Sequence, residues 1–314
     1  MEDIKEKIYD FVVIGAGVAG LTAAQYGARG GLDTLLLDTW YPGGQALNIF
    51  NLENFPGFFP SINGGDFIEN MRSQAENFGA KILQGKVNSI DKSENRFVIE
   101  SDAGKIFAYA VLIATGAEHR KLGVPGEEKF FGKGVSYCAT CDGPFFKRKK
   151  IVVVGGGDSA LEEAIHLTSF SDDVTLVHRR DEFRAQKAIQ DKVFKNKKIT
   201  VKFNSEIESI EGEEKVSSVV LKNRLDSSTQ KIECDGVFVS VGMKPLTSLV
   251  DTLKKDEVGY LITNYKMETE IPGLYVAGDV RAKPFRQLVT AASDGAIAAH
   301  MASEYVSTIK SKSL

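Results

Sequence analysis

The chain has 314 residues, 43% hydrophobic and 26% charged, enough for two domains each with its own core. Its 39 basic and 42 acidic residues leave a net charge of −3, which argues against a nucleic-acid partner. Three cysteines, an odd count, exclude a secreted disulfide framework, and no apolar run is long enough to span a membrane.

The charged amino-terminal stretch "MEDIKEKIYD" carries no export signal, so a cytoplasmic protein is expected. The first predicted element is "DFVVIGAGVAG" (10–20), an apolar run ending in Gly15-x-Gly17-x-x-Gly20. It reads as a buried parallel strand leading into the helix "AGLTAAQYGARGG" and a second strand "TLLLD" (34–38). Between 85 and 110 polar and apolar residues alternate with turn signals, which predicts a small antiparallel sheet. "VLIATGAE" (111–118) then reads as a strand and a turn.

The stretch "SYCATCDGPFF" (136–146) follows, with two of the three cysteines spaced Cys-x-x-Cys. Directly after it, "KIVVVGGGDSA" (150–160) repeats the opening pattern as Gly155-x-Gly157-x-x-Ala160. A helix "ALEEAIHLTSF" and a strand "VTLVHRR" (174–180) complete this second unit. Gly15 to Asp38 is 23 positions, and so is Gly155 to His178. A lone glycine fingerprint is a weak signal, but strand, turn, helix and strand in both places predict two dinucleotide-binding βαβ units. A second meander is predicted at 201–223, and "GLYVAGDV" (273–280) supplies a late strand. The fold class expected is α/β, with two Rossmann-like domains and one inserted in the other. The outer would span 1–117 and 247–314, the inner 118–246, with linkers near "ATGAEHRKLGVPG" and "VGMKPLTS".

The ends of the second strands distinguish the ligands. Asp38 suits a ribose hydroxyl and would repel a 2′-phosphate. His178, Arg179 and Arg180, with Arg184 close behind, suit a phosphate dianion, each charged hydrogen bond adding about 1.5–3 kcal/mol. The inner unit therefore reads as an NADP site, against the blander reading of a solvated basic run. The outer unit reads as a site for FAD or NAD, and the order of segments along the chain favours FAD.

For the Cys-x-x-Cys pair, zinc would need four ligands, and no second pair stands at metal-ligand spacing. Cys234 lies in the apolar run "ECDGVFVSVG" and reads as a core thiol, so no metal site is expected. A purely structural disulfide is out of place in a reducing compartment, and the two dinucleotide units beside the pair favour a redox dithiol. Asp142 beside it is a candidate acid/base group, or else an ordinary Asp-Gly turn residue.

The sequence resembles the low-molecular-weight thioredoxin reductases of the bacterial and archaeal type over essentially its whole length. The likeness is carried by "CATCDG" ahead of "VVVGGGDSALEEA" and "HRRDEFRA", and by "GGQ" (43–45), "ENFPG" (53–57), "ATGA" (114–117), "GDV" (278–280) and "RQ" (286–287). The resemblance implies an outer domain that binds FAD and an inner one that binds NADPH and carries the dithiol. By it, Gly15, Gly17, Ala19 and Gly20 approach the FAD pyrophosphate, and Asp38, Gly44, Gln45, Asn54, Asp279, Arg286 and Gln287 hold the rest. Gly157, Asp158, Ser159, His178, Arg179, Arg180 and Arg184 match NADPH positions. Cys141 would face the flavin, Cys138 would attack a thioredoxin disulfide, and Asp142 matches the family's proton donor.

The implied flow runs from NADPH to FAD, to Cys138–Cys141, to thioredoxin, with the inner domain rotating between steps. A homodimer is the family's usual assembly. Asp38 stands where many relatives have Glu, and "VGMKPLT" lacks the commoner Asn after Pro. No thioredoxin-like extension is expected ahead of "MEDIKEKIYD", so the peroxiredoxin-reducing relatives are disfavoured. Two other readings compete: a same-fold enzyme with another donor such as ferredoxin or another thiol acceptor, and an NADP-binding redox sensor without turnover.

Overall fold

The computed structural model describes residues 7–49 and 52–312. Two compact units form, one from Met1–Glu118 with Lys244–Leu314 and the other from His119–Met243. Leu246 belongs to the outer unit because its N–H donates to the Gly116 carbonyl at 3.0 Å, while Arg120 N–H donates to the Gly242 carbonyl inside the inner unit.

The outer unit opens with β1 (Ile8–Ile14), α1 (Val18–Arg29), β2 (Thr34–Asp38), α2 (Gly64–Asn77) and β3 (Lys81–Gln84). It continues through β4 (Val87–Ser93), β5 (Arg96–Ser101) and β6 (Gly104–Ile113), and β7 (Ala117–His119) ends on the first residue of the inner unit. The inner unit holds β8 (Val135–Ser136), α3 (Ala139–Asp142), β9 (Ile151–Val154), α4 (Asp158–Leu167), β10 (Val174–Val177), α5 (Lys187–Lys195), β11 (Ile199–Lys202), β12 (Ser205–Gly212), β13 (Val216–Asn223), β14 (Thr229–Glu233) and β15 (Gly236–Val239). The chain then returns through β16 (Met243–Pro245), β17 (Leu274–Val276) and the long helix α6 (Leu288–Lys312).

In the outer unit the sheet order is β3-β2-β1-β6-β5-β4, with β17 also on β6. Val12 sits between Leu35 on β2 and Val111 on β6, all parallel, as fully apolar runs require when both faces are covered. One face packs on α1 and α6 through Phe11, Val13, Leu21, Leu36, Ala298 and Ala302. The other buries Val12, Leu35, Val111 and Val276 with Val250 and Leu261. The meander expected between 85 and 110 forms, but not as a separate sheet. Strand β6 is ten residues long, so it pairs antiparallel with β5 and parallel with β1 along one strand.

The inner unit carries a parallel sheet in the order β11-β10-β9-β15-β8 and a separate antiparallel sheet β12-β13-β14. Alternation sorts the two faces of the parallel sheet. Val153, Leu176 and Phe238 meet Leu161, Ala164 and Leu167 of α4, while Val152, Val154 and Val237 meet Ile207, Val219 and Leu221 of the meander. The segment 201–223 thus begins inside β11, and its antiparallel part starts at Ser205. The layers are meander, parallel sheet and helix.

Two glycines show why the first turn needs its fingerprint. Gly15 has φ +104°, and a Cβ there would lie 2.4 Å from the Ala114 carbonyl oxygen. A Cβ on Gly20 would lie 1.8 Å from the Gly15 carbonyl oxygen, so the helix could not approach its strand. Among the described residues, no helix is long and apolar enough to cross a membrane.

Candidate active site

In the outer unit, α1 begins at the carboxyl end of β1 with Gly17 as N-cap, no side-chain cap and no acidic residue in its first turn. The first N–H groups of a helix lack internal partners and favour an anion. A Cβ on Gly17 would meet nothing within 4 Å, so the space in front of these N–H groups is open. Asp38 ends β2 and turns back on the same turn, its Oδ2 accepting Ala16 N–H at 2.6 Å and its Oδ1 accepting Trp40 N–H at 3.1 Å. Gly44 reaches the turn too, and a Cβ on it would lie 3.7 Å from Gly17 Cα. Ala19 packs against Gly278, one residue before Asp279. Gln45 donates to the Ala117 carbonyl, and Asn54 Nδ2 donates to Gln287 Oε1 at 3.0 Å.

Asp279 and Arg286 sit beside a buried charge network that no sequence motif announces. Lys283, only 4% exposed at its side chain, lies 3.1 Å from Asp279 Oδ1 and 3.2 Å from Asp294 Oδ2. Arg281 pairs with the other oxygen of Asp294 at 3.0 Å. The Lys283–Asp279 approach is an ion pair without hydrogen-bond alignment, so Asp279 Oδ1 is buried with no hydrogen-bond partner. Arg286 lies over the Tyr260 ring at 3.7 Å, and its Nε is likewise buried and unpartnered. Orphaned polar atoms of this kind, near an open helix N-terminus, fit a polar dinucleotide.

In the inner unit Gly157 repeats the arrangement, as N-cap of α4 with no side-chain cap and open space at its Cβ. Asp158 turns away from that space, since its Oδ1 accepts Gln186 N–H at 2.7 Å. Ser159 is exposed in the first turn of α4. Arg184 N–H donates to the Gly156 carbonyl at 2.8 Å, which holds the basic loop over the glycine turn. Arg179, Arg180 and Arg184 are exposed, and none forms an ion pair with a described residue. His178 is 5% exposed and packs on Gly156, with Nε2 buried and unpartnered. Burial lowers its pKa most, a backbone hydrogen bond to Glu182 opposes that, and Arg184, Arg180 and Arg179 lower it further. Three cations and an unpartnered ring nitrogen around an open glycine turn fit a dinucleotide phosphate.

Cys138 and Cys141 form a disulfide at the turn α3, where Cys138 is the N-cap. Cys141 N–H donates to Cys138 Sγ at 3.2 Å, and Thr140 Oγ1 lies 3.3 Å from the same sulfur. A sulfur so supplied is the one better able to carry negative charge after reduction. Asp142 Oδ2 accepts the Ser136 hydroxyl at 2.6 Å, and Ser136 Oγ accepts Cys138 N–H at 3.1 Å. Burial raises the Asp142 carboxyl above its ordinary range, and the Ser136 bond partly opposes that. On the other side, Glu127 is 1% exposed and accepts Leu122 N–H, Gly123 N–H and the Tyr137 hydroxyl, each at 2.8 Å. It fixes the residue before Cys138.

Ser136, Glu127, Lys283 and Asp294 carry no motif of their own, although Ser136 two residues before the first cysteine could have drawn attention. Cys234 is buried, its thiol pushed up to about 12 by burial, and stands apart from this chemistry. Among the described residues no cluster of metal-ligating side chains occurs.

Residues 9–296 match the family model described as pyridine nucleotide-disulphide oxidoreductase. The chain is 50% identical over 305 residues to a thioredoxin reductase of Treponema pallidum, covering 97% of this chain and 99% of that one. It is 48% identical over 308 residues to a thioredoxin reductase of Listeria innocua, covering 98% and 96%. The crystal structure of thioredoxin reductase from Streptococcus pyogenes superposes with a TM-score of 0.91 at 43% identity, covering 96% of this chain and 99% of that one.

Proposed function

We propose, from the premise that this chain belongs to the pyridine nucleotide-disulphide oxidoreductases and among them to the thioredoxin reductases, that it reduces a thioredoxin disulfide at the expense of NADPH. The observation that carries this is the Cys138–Cys141 disulfide with Asp142 hydrogen-bonded beside it, in the unit whose glycine turn is ringed by arginines. FAD, when bound in the outer unit, supplies the conversion between hydride transfer and dithiol reduction.

The chain's own groups do the rest. The open turn at Gly15, Gly17, Ala19 and Gly20 receives the pyrophosphate of FAD, and Asp38 the adenosine ribose. Gly44, Gln45, Asn54, Asp279, Arg286 and Gln287 hold the remainder of that cofactor. Arg179, Arg180 and Arg184 clamp the 2′-phosphate of NADPH, and the His178 ring lies against Gly156, in the turn that bears Gly157 and Ser159. Asp158 contributes by fixing the basic loop through Gln186. Cys138 attacks the partner disulfide, Cys141 resolves the mixed disulfide, and Asp142 moves the protons. A homodimer in the cytoplasm is the assembly and setting that follow from the family.

The test is capture. Cys141→Ser, reduced and mixed with oxidised thioredoxin, should trap it as a mixed disulfide through Cys138, seen as a heavier species in a non-reducing gel. Cys138→Ser should trap none. Capture by Cys138→Ser alone would reverse the two roles, and capture by neither would remove thioredoxin as substrate.

A further inference from the structure

A buried acid that gives up and regains a proton must find a hydrogen-bond partner in both states. Otherwise each cycle strands a polar group, at a cost of about 1–3 kcal/mol. Asp142 is half-buried and faces this demand at Oδ2, because desolvation is the first cause of its raised carboxyl. Ser136, 3% exposed, is placed to meet it. Its Oγ lies 2.6 Å from Asp142 Oδ2, accepts Cys138 N–H at 3.1 Å, and lies 3.4 Å from the Cys138 carbonyl oxygen.

A hydroxyl has one proton to give and two lone pairs to receive with. While Asp142 is ionised, the Ser136 proton points at Oδ2. Once Asp142 is protonated, Oδ2–H donates to Oγ, and the Ser136 proton turns to the Cys138 carbonyl. The Cys138 N–H bond is kept in both arrangements. Neither Asp142 Oδ2 nor the Ser136 hydroxyl is left unpaired in either.

We propose that Ser136 is the positioning residue of a proton relay, its hydroxyl swinging between Asp142 and the Cys138 carbonyl so that the acid can change state while tied to the attacking cysteine. The use of such a relay rests on the disulfide exchange proposed above. There the Cys138 thiolate bonds to one partner sulfur, the partner's S–S bond breaks, and the departing sulfur keeps the electron pair and takes the proton of Asp142. The Cys141 thiol then returns a proton to Asp142 as its sulfur bonds to Cys138. The second partner sulfur leaves with the electron pair of the mixed disulfide and takes that proton. Asp142 gives two protons in the exchange and regains one from Cys141; the second is taken up from solvent when the disulfide is reduced again, and Ser136 serves every change of state.

Other charges do not account for the behaviour of Asp142, whose shift has only burial and Ser136 as causes. On α4, which packs against α3, Asp158 is taken by Gln186, Glu163 bonds Ser240, His166 packs edge-on to Phe170, and Glu162 is exposed. The titrating neighbours on its own turn are the two cysteine thiols of the reduced enzyme.

The experiment is an infrared titration of the Asp142 carboxyl in the reduced holoenzyme, assigned by its loss in Asp142→Asn. It is paired with a single-turnover pH profile of thioredoxin reduction. Ser136→Ala removes the donor that the ionised form needs most, so the carboxyl titration should move up by roughly one pH unit. The rate should fall about 10-fold at its optimum, with the alkaline limb displaced in the same direction as the titration. Ser136→Thr, which keeps the hydroxyl, should restore both. A titration unmoved in Ser136→Ala would overturn the relay, and so would a rate loss with an unshifted profile, since that marks a purely structural serine. Should Ser136→Ala fail to fold, Ser136→Thr against Ser136→Cys makes the same comparison, with the weak thiol donor giving the upward shift. A wild-type enzyme that reduces no thioredoxin would sink the functional reading instead, and the infrared titration would still decide for or against Ser136.

Discussion

Arg179, Arg180 and Arg184 point into solvent without an ion pair among the described residues, so the fold has little use for them. Replacing Arg179 and Arg180 by Ala should weaken NADPH binding by about 10²-fold, at about 1.5 kcal/mol for each lost charged bond. NADH binding should hardly change, because it has no 2′-phosphate to lose. Calorimetric titration with both nucleotides checks this, and equal losses for the two would assign the arginines to folding. Glu163 is the opposite case, a carboxylate the fold does not welcome when charged. Burial raises its pKa to about 7, with only the Ser240 hydroxyl opposing, and one of its oxygens has no partner.

A carboxyl raised above its unfolded value binds a proton more tightly in the native state, so stability falls as pH climbs from about 4.5 to about 7. Glu163→Gln should therefore be more stable than wild type at pH 8, by on the order of 1–3 kcal/mol, and lose most of that advantage at pH 5. Urea unfolding at the two pH values measures the difference. An advantage equal at both would mean that Glu163 is not the titrating group.

At the scale of elements, the two βαβ units were legible because three independent features coincide in each: an apolar run, a glycine turn and an amphipathic helix. The glycines of the first turn nevertheless differ in kind. Gly20 is a packing glycine, with the Gly15 carbonyl 1.8 Å from where a Cβ would stand, whereas Gly17 faces open space. Gly20→Ala should thus destabilise the protein by about 2 kcal/mol or more. Gly17→Ala should alter the stability of the apoprotein by less than about 1 kcal/mol yet weaken FAD binding at least 10-fold, because the methyl group occupies the approach to the helix N-terminus. Thermal melts of the apoproteins and fluorescence titration with FAD separate the two effects. Full FAD affinity in Gly17→Ala would move the cofactor away from this turn.

Other elements were less legible for physical reasons. The meander at 85–110 reads as separate because its alternation stops where β6 becomes apolar on both faces, and nothing local says that one strand serves both pairings. The network of Lys283, Asp294 and Arg281 was hidden because buried ion pairs leave the same letters as solvated ones. Only the packing of α6 against the turn at Gly278 brings them together, through the Gly278 N–H bond to Asp294 at 3.1 Å. Ser136 is inconspicuous likewise, since a serine before a cysteine carries no periodic signal.

For the whole molecule, the family and the thioredoxin reductase likeness rest on near-complete coverage of relatives 44–50% identical, so they do not depend on one motif. What the molecule adds is an arrangement of its own side chains consistent with that chemistry: a dithiol with a paired acid, a basic loop hydrogen-bonded to a glycine turn, and a second open turn answered by an aspartate. The central claim is that electrons from NADPH reach a protein disulfide only through Cys138 and Cys141. The measurement that tests it most directly is the initial rate of thioredoxin reduction by the FAD-loaded enzyme, wild type against Cys138→Ser and Cys141→Ser, with NADPH as donor. Wild type should turn over continuously while both variants fall to background, each still oxidising NADPH in the presence of an artificial electron acceptor. Sustained thioredoxin reduction by either variant would contradict the account.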